Sequence, residues 1–379
     1  MAPEIPIIRT DLQSLSRIER EQVWADLLAN PHNTSYQVNS EEPQFVSKCI
    51  NDLQNLLLKD IKLRDPNSNM RPPSAFEVAY RQDSNYVTDP KFLLMFLRGN
   101  LFDLKSAAKH ILYHLELKKK LFGGELLTKD ITIGDITQLE QTEACNEGQE
   151  QQNQHQSHLW YHQQSSHTTS RQPFSKFMRF IKVEKGRADW AGRQIIFVSP
   201  SHCPFDLPPK YILRQSWESH MSTARMKQHG ENAQKVGCVA IISLLDEYPS
   251  NMNYEHFRQL VQIDRASPLR IVSLYILRRP NGAASPANGN NETAAAWNNL
   301  IDFLIFVMGK LLRVRTRTIT GSPQECVYNL LCLGFTEANI PIELKEQSLL
   351  QSPSPNTAAT METSTAIPIP PDSMVIEDD

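Results

Sequence analysis

The sequence predicts an α/β protein, a helical N-terminal module followed by a sheet domain with helices between its strands. Up to residue 125 the apolar positions recur at helical spacing, without strand-like alternation. After residue 172 the pattern changes: short runs rich in Val and Ile at 193–199 (RQIIFVS), 236–244 (VGCVAIISL) and 271–277 (IVSLYIL) are separated by helical lengths. That spacing belongs to βαβ units rather than hairpins. At 379 residues and 40% apolar content the chain can bury one sizeable core.

The first helix is expected over 11–29, where Leu12, Leu15, Ile18, Val23 and Leu27 share a face, and the second over 44–62, with Phe45, Cys49, Leu53, Leu56, Leu57 and Ile61. Proline and polar residues break the chain at 64–74. The stretch DPKFLLMFLRGNLFDLKSAAK at 89–109 then reads as two helices joined at Gly99-Asn100, with Asp89 capping the first ahead of Pro90 and Asp103 capping the second. Residues 144–172 form a Gln/His/Ser-rich tract with little to bury, read as a flexible insertion. Its histidines (His155, His158, His162, His167) lack a Cys or acid pair to complete a site, so no metal is expected. Helices are expected at 208–226 and 254–263. A low-complexity loop at 281–296 precedes the apolar helix WNNLIDFLIFVMGKLL at 297–312 and an Arg-alternating strand at 313–320. The tail beyond residue 347 is Ser/Pro/Thr-rich and acidic, and is expected to be disordered.

Composition narrows the function. The formal net charge of −3 gives no electrostatic case for nucleic acid, and the tail acids Glu362, Asp372, Glu377, Asp378 and Asp379 leave a mildly cationic body. The six cysteines form no CxxC pair and read as buried thiols in a reducing compartment. MAPEIPIIRTDLQSL has no charged leader ahead of an apolar core, and the longest apolar run is broken by Asp302 and Lys310. The expectation is a cytoplasmic protein. GxSxG, GxxxxGK[ST], HExxH and CxxC are all missing, which argues against an enzyme.

Four pieces in order resemble the CRAL-TRIO family of lipid-binding and lipid-transfer proteins. FLLMFLRGNLFDLKSAAK is similar to its N-terminal helical module. DWAGRQIIFVS resembles its D-x-x-G-R turn into the first central strand. SPLRIVSLYILRRP is similar to its P-x-R strand ending in Asn-x-Pro, with Arg279 where Asn is usual. The helix at 297–312 with RVRTRTITG stands at the place of its gate helix and following strand. NIPIEL at 339–344 resembles the family's ending, with Lys345-Glu346 for its glycines.

The resemblance implies a helical extension (1–84), a helical module (85–125), the insertion (144–172), a lipid-binding domain (173–346) and the tail (347–379). Its mixed sheet is the floor of a pocket, with helical walls and a mobile gate. In that register Gly237, Val239, Ile241, Ile271, Ser273 and Tyr275 face the pocket, and Trp297, Leu300, Ile301, Leu304 and Met308 form one face of the gate. Phosphatidylinositol-transferring members grip the inositol phosphate with an acid and a lysine. Lys235 and Ser273 stand at those places, which does not support phosphatidylinositol. Lys235 is open between another anionic group and solvent, as are Arg313, Arg315 and Arg317 between lipid phosphates and a solvated strand edge. The implied activity is non-enzymatic carriage, transfer or sensing of a phospholipid, isoprenoid-like or other hydrophobic molecule, with transient peripheral membrane association and no other cofactor. The rival is a protein-binding adaptor using the insertion and tail.

Overall fold

The computed structural model describes residues 41–62, 72–143, 181–203 except Trp190, 209–225, 230–245, 254–280 and 310–350, with Asp11, 13–17, 19–21 and Val23 near the N-terminus. The helical half contains α1 (Pro43–Lys62), α2 (Ala75–Gln82), α3 (Ser84–Thr88), α4 (Pro90–Gly99) and α5 (Leu104–Phe122). Its starts are capped as the residue types dictate. Ser74 and Glu77 form a reciprocal capping box on α2, the Asp89 carboxylate accepts the Lys91 N–H ahead of Pro90, and Asp103 accepts the Ser106 N–H at 2.6 Å.

The sheet has five strands in the order β1-β2-β3-β4-β5: β1 (Ile181–Ala188), β2 (Gln194–Val198), β3 (Cys238–Leu244), β4 (Ile271–Arg278) and β5 (Thr316–Thr320). The first pairs antiparallel and the rest parallel, so this is the mixed α/β sheet expected, with β1 an addition that the Gln-rich neighbourhood hid. The turn from β1 into β2 is built by DWAGR. Asp189 accepts the N–H groups of Ala191 and Arg193 and the Arg193 guanidinium at 2.7 Å, while Gly192 takes the left-handed φ of 75°. Both charges are buried, so this motif is a structural turn.

Between the strands lie α6 (Pro209–Arg225), α7 (Gly230–Val236), α8 (Tyr254–Ala266) and α9 (Lys310–Val314), and α10 (Pro323–Cys332) and α11 (Ile342–Leu350) close the fold. The Arg-alternating strand expected from 313 begins only at Thr316, because 310–314 are helical.

One core runs from α1 and α2 through α4, α5, α6 and α8 to Ile196 of β2 and Cys238 of β3. The boundaries expected at residues 85 and 173 therefore cross a shared interior. Gly99 abuts the Pro268 carbonyl, His114 Nδ1–H donates to the Ala266 carbonyl at 2.9 Å, and Arg214 donates to the Leu121 carbonyl and to both oxygens of Glu143. The greasy α4 thus serves as a bracket against the sheet domain. A second core lies under α10 and α11 on the opposite sheet face.

Candidate functional site

Successive parallel strands in monotonic order, joined by right-handed crossovers, carry all their connections over one face. Here α6 and α8 cover the face of Ile196 and Cys238. Helix α9 belongs to the same side: it packs against β4, and the Thr316 hydroxyl donates to the Leu312 carbonyl at 2.8 Å. Register places Cys238, Ala240, Leu274, Ile276, Thr316 and Thr318 on this face. The bracket core uses its β2 edge. Ala240, Leu244, Leu274 and Ile276 are buried here, and the described residues of the two cores above do not include them. They form an apolar half-face bordered by two threonines, and this is the candidate site.

The sequence-derived pocket residues lie elsewhere. Val239, Ile241 and Tyr275 pair in register with Ile195, Phe197 and Arg317, and their side chains are packed into the second core, Tyr275 edge-on to Phe335. They support α10 and α11. Strand alternation put Val239, Ile241 and Tyr275 together on one face, and that face is the one packed under α10 and α11. Ser273, on that same face, is buried with its hydroxyl unpartnered. Ile271 falls out of phase: it pairs with Cys238, and an irregularity follows before Ser273 pairs with Val239. Gly237, at φ +84°, makes room there, since a Cβ would meet Val272.

The cations left open between phosphate and solvent are also engaged. Lys235 pairs with Glu231 at 2.8 Å and Glu41 at 3.5 Å. These acids belong to a hub around buried Arg98, which donates to Glu41 at 2.6 and 2.7 Å, to Glu231 and to the Gln234 side-chain oxygen Oε1. Burial alone would raise the Glu41 carboxyl, but Arg98 and Lys235 hold it below its ordinary value. The hub ties α1, α4 and α7 together, so Lys235 is a structural cation. Arg313 lies on α9 and donates to both carboxylate oxygens of Asp11, at 2.8 and 3.1 Å. Arg315 is buried at the α9–β5 turn, and Arg317 is half-buried on the face of the second core. The three do not share a strand face because only Arg317 is in the strand. Trp297, Leu300, Ile301, Leu304 and Met308, expected to form a gate, lie outside the described residues, as do 144–172 and 351–379.

Sequence reasoning missed the Arg98 hub and the Arg214–Glu143 clamp, whose members come from remote parts of the chain and carry no local signal. Arg214 holds the Glu143 carboxyl down at about 2. Arg279, standing where the resembled family has Asn, donates to the Leu245 carbonyl and ties the ends of β3 and β4. Burial pushes the Cys238 and Cys326 thiols up to about 12, far from reactive thiolates. Among the described residues no group of three His, Cys, Asp or Glu is arranged to hold a metal, and no helix is long and apolar enough to cross a membrane.

No family model matches the chain, and no curated protein matches it.

Proposed function

We propose that the protein is a non-enzymatic carrier or sensor of a lipid or another small hydrophobic molecule, held on the apolar half-face of β3, β4 and β5. The observation that carries this reading is the floor itself: Ala240, Leu244, Leu274 and Ile276 make an aliphatic stretch of sheet surface that is closed off from solvent. Burying a ligand's chain there returns about 0.8 kcal/mol per CH₂, which offsets its extraction from a bilayer. The apolar helix at 297–309 enters the proposal as the movable wall on its sequence pattern, and with it the exchange of cargo at a membrane surface. Thr316 and Thr318 offer hydroxyls to a polar end of the ligand. Lys235 is committed to the Arg98 hub, so the reading requires no phosphoinositide headgroup.

Native mass spectrometry of the full chain, followed by organic extraction, tests this. An adduct of lipid or isoprenoid mass is expected, and its loss in Ile276→Trp, with circular dichroism unchanged, would place the ligand on this floor. An adduct that persists in Ile276→Trp assigns it to another surface. A wild-type protein that has no adduct and moves no fluorescent lipid between vesicles defeats the carrier reading.

The adaptor reading retains one observation of its own. Tyr328 and Ile342 are exposed on α10 and α11, at 67% and 44%, on the side of the sheet away from the candidate site. A partner captured through Tyr328 by protein bearing the Ile276→Trp floor would favour it.

A further inference from the structure

Lys118 lies in α5 with 1% of its surface exposed. Its ammonium donates three hydrogen bonds, to the Leu127 carbonyl at 2.8 Å, the Lys129 carbonyl at 2.6 Å and the Tyr86 hydroxyl at 3.1 Å. None of these acceptors carries a charge, and the amine lies 4.9 Å from the centre of the Tyr86 ring. A lysine enclosed in this way gives up its proton readily, because the charged form has lost its water and gained, among the described residues, no carboxylate in contact. Burial, followed by Arg225, brings Lys118 down to about 7, against an upward pull from Asp130.

The partners suit both protonation states. The two carbonyls only accept, whereas a phenol accepts or donates. Tyr86 on α3 does both. It accepts from Lys118 and donates to the Asp130 carboxylate at 3.1 Å, which also receives Arg225, at the end of α6, at 2.7 Å. Burial holds the Tyr86 hydroxyl well above its ordinary value, so it stays a phenol while the amine titrates. Other titratable groups close by are engaged elsewhere. His114, one turn earlier on α5, donates to the Ala266 carbonyl and is held well below its ordinary value by burial and then by Lys118 itself. Lys129 pairs with Asp135, and Glu116 accepts the Ala75 N–H at the start of α2.

We propose that Lys118, Tyr86 and Asp130 form a proton relay, through which the enclosed amine exchanges its proton with solvent and thereby turns the Tyr86 hydroxyl from Asp130 to itself. In one concerted shift the Lys118 N–H bond facing Tyr86 breaks and its proton forms a new O–H bond on the phenol oxygen. The original phenol O–H bond breaks, and its proton passes to the Asp130 carboxylate, which is 59% exposed and releases it to water or a buffer base. The product is a neutral amine that keeps two N–H groups for the Leu127 and Lys129 carbonyls and accepts from Tyr86 through its lone pair. Asp130 then retains Arg225 and loses Tyr86. The proton state of α5 is thus read out at the surface, where the loop after α5 meets the end of α6. This relay is independent of the carrier reading.

NMR of the lysine ε-carbons and tyrosine ζ-carbons of the full chain, followed from about pH 5 to about pH 9, tests it. One lysine should titrate with a midpoint near 7 while the ordinary ones stay charged. Arg225→Gln should raise that midpoint and Asp130→Asn should lower it, each by on the order of half a unit, which identifies the Lys118 signal without altering its packing. The Tyr86 ζ-carbon, assigned by its loss in Tyr86→Phe, should shift with the same midpoint, although the phenol does not ionise there. In Tyr86→Phe the Lys118 signal should also exchange more slowly between its two forms, because the path to Asp130 is cut. A Lys118 signal that stays charged to pH 9 overturns the relay at its source. Titration of Lys118 with an unmoved Tyr86 ζ-carbon overturns the hydroxyl turn. Exchange as fast in Tyr86→Phe as in wild type overturns the path through Tyr86.

Discussion

Gly99 has no room for a side chain. A Cβ there would lie 2.4 Å from the Pro268 carbonyl oxygen, a backbone atom that cannot swing aside. Gly99→Ala must therefore push α4 off the segment before β4. A loss of about 3 kcal/mol is expected, read as a lower urea midpoint with an unchanged slope. Ser273 gives the opposite expectation. Its hydroxyl is buried without a partner, which costs about 1–3 kcal/mol, so Ser273→Ala should leave stability unchanged or raise the melting temperature. A fall in melting temperature would mean that the hydroxyl is satisfied in solution. Both residues lie in motifs read from the sequence, and in both cases the sequence named the residue without naming what it touches.

At the scale of elements, α5 decides the acid response. Burial pushes His110 down to about 4, and burial followed by the neighbouring Lys118 holds His114 well below the ordinary value. Each stays neutral in the native state while its unfolded counterpart takes up a proton near pH 6.5. Their contribution to stability is thus present above about pH 6.5 and is lost as pH falls toward 4. His220 works the other way. Burial alone would lower it, but Asp264 raises it, so its contribution is present below its unfolded value and lost as pH rises. Below about pH 6.5 His220 is charged in both states and offsets nothing, so the two protons taken up on unfolding give a loss of about 3 kcal/mol per pH unit on acidification. Urea midpoints at pH 7 and pH 5 should show this fall, and His110→Gln, which keeps an acceptor for the Asn100 amide, should flatten it. A midpoint independent of pH would refute the assignment.

On the scale of the whole molecule, the sheet separates two different kinds of surface. One face is filled by α10 and α11, and the other is shared between the bracket core and the apolar floor. Under the proposed carrier function, membrane loading uses the second face, and Leu304→Asp in the expected gate should abolish loading while leaving the protein folded. Unfolding of that variant would make 297–309 a static core helix. Tyr275→Ala, by contrast, should cost about 3 kcal/mol of stability by emptying a packed site, read as a lower urea midpoint, and should leave any adduct of the proposed carrier in place.

The sequence by itself determined the α/β class, the caps at Asp89 and Asp103, the four central strands and the principal helices near them, because each is written in periodicity and residue type over a few neighbouring positions. It also determined that Val239, Ile241 and Tyr275 share a face. Only the tertiary structure decided which face that is, since a period of two is symmetric and the choice depends on crossover handedness and on where α10 and α11 pack. The cations followed the same rule. Lys235 and Arg313 looked available for phosphate until Glu41, Glu231 and Asp11 were brought to them from remote sequence, and charge pairing across such distances leaves no local pattern to read.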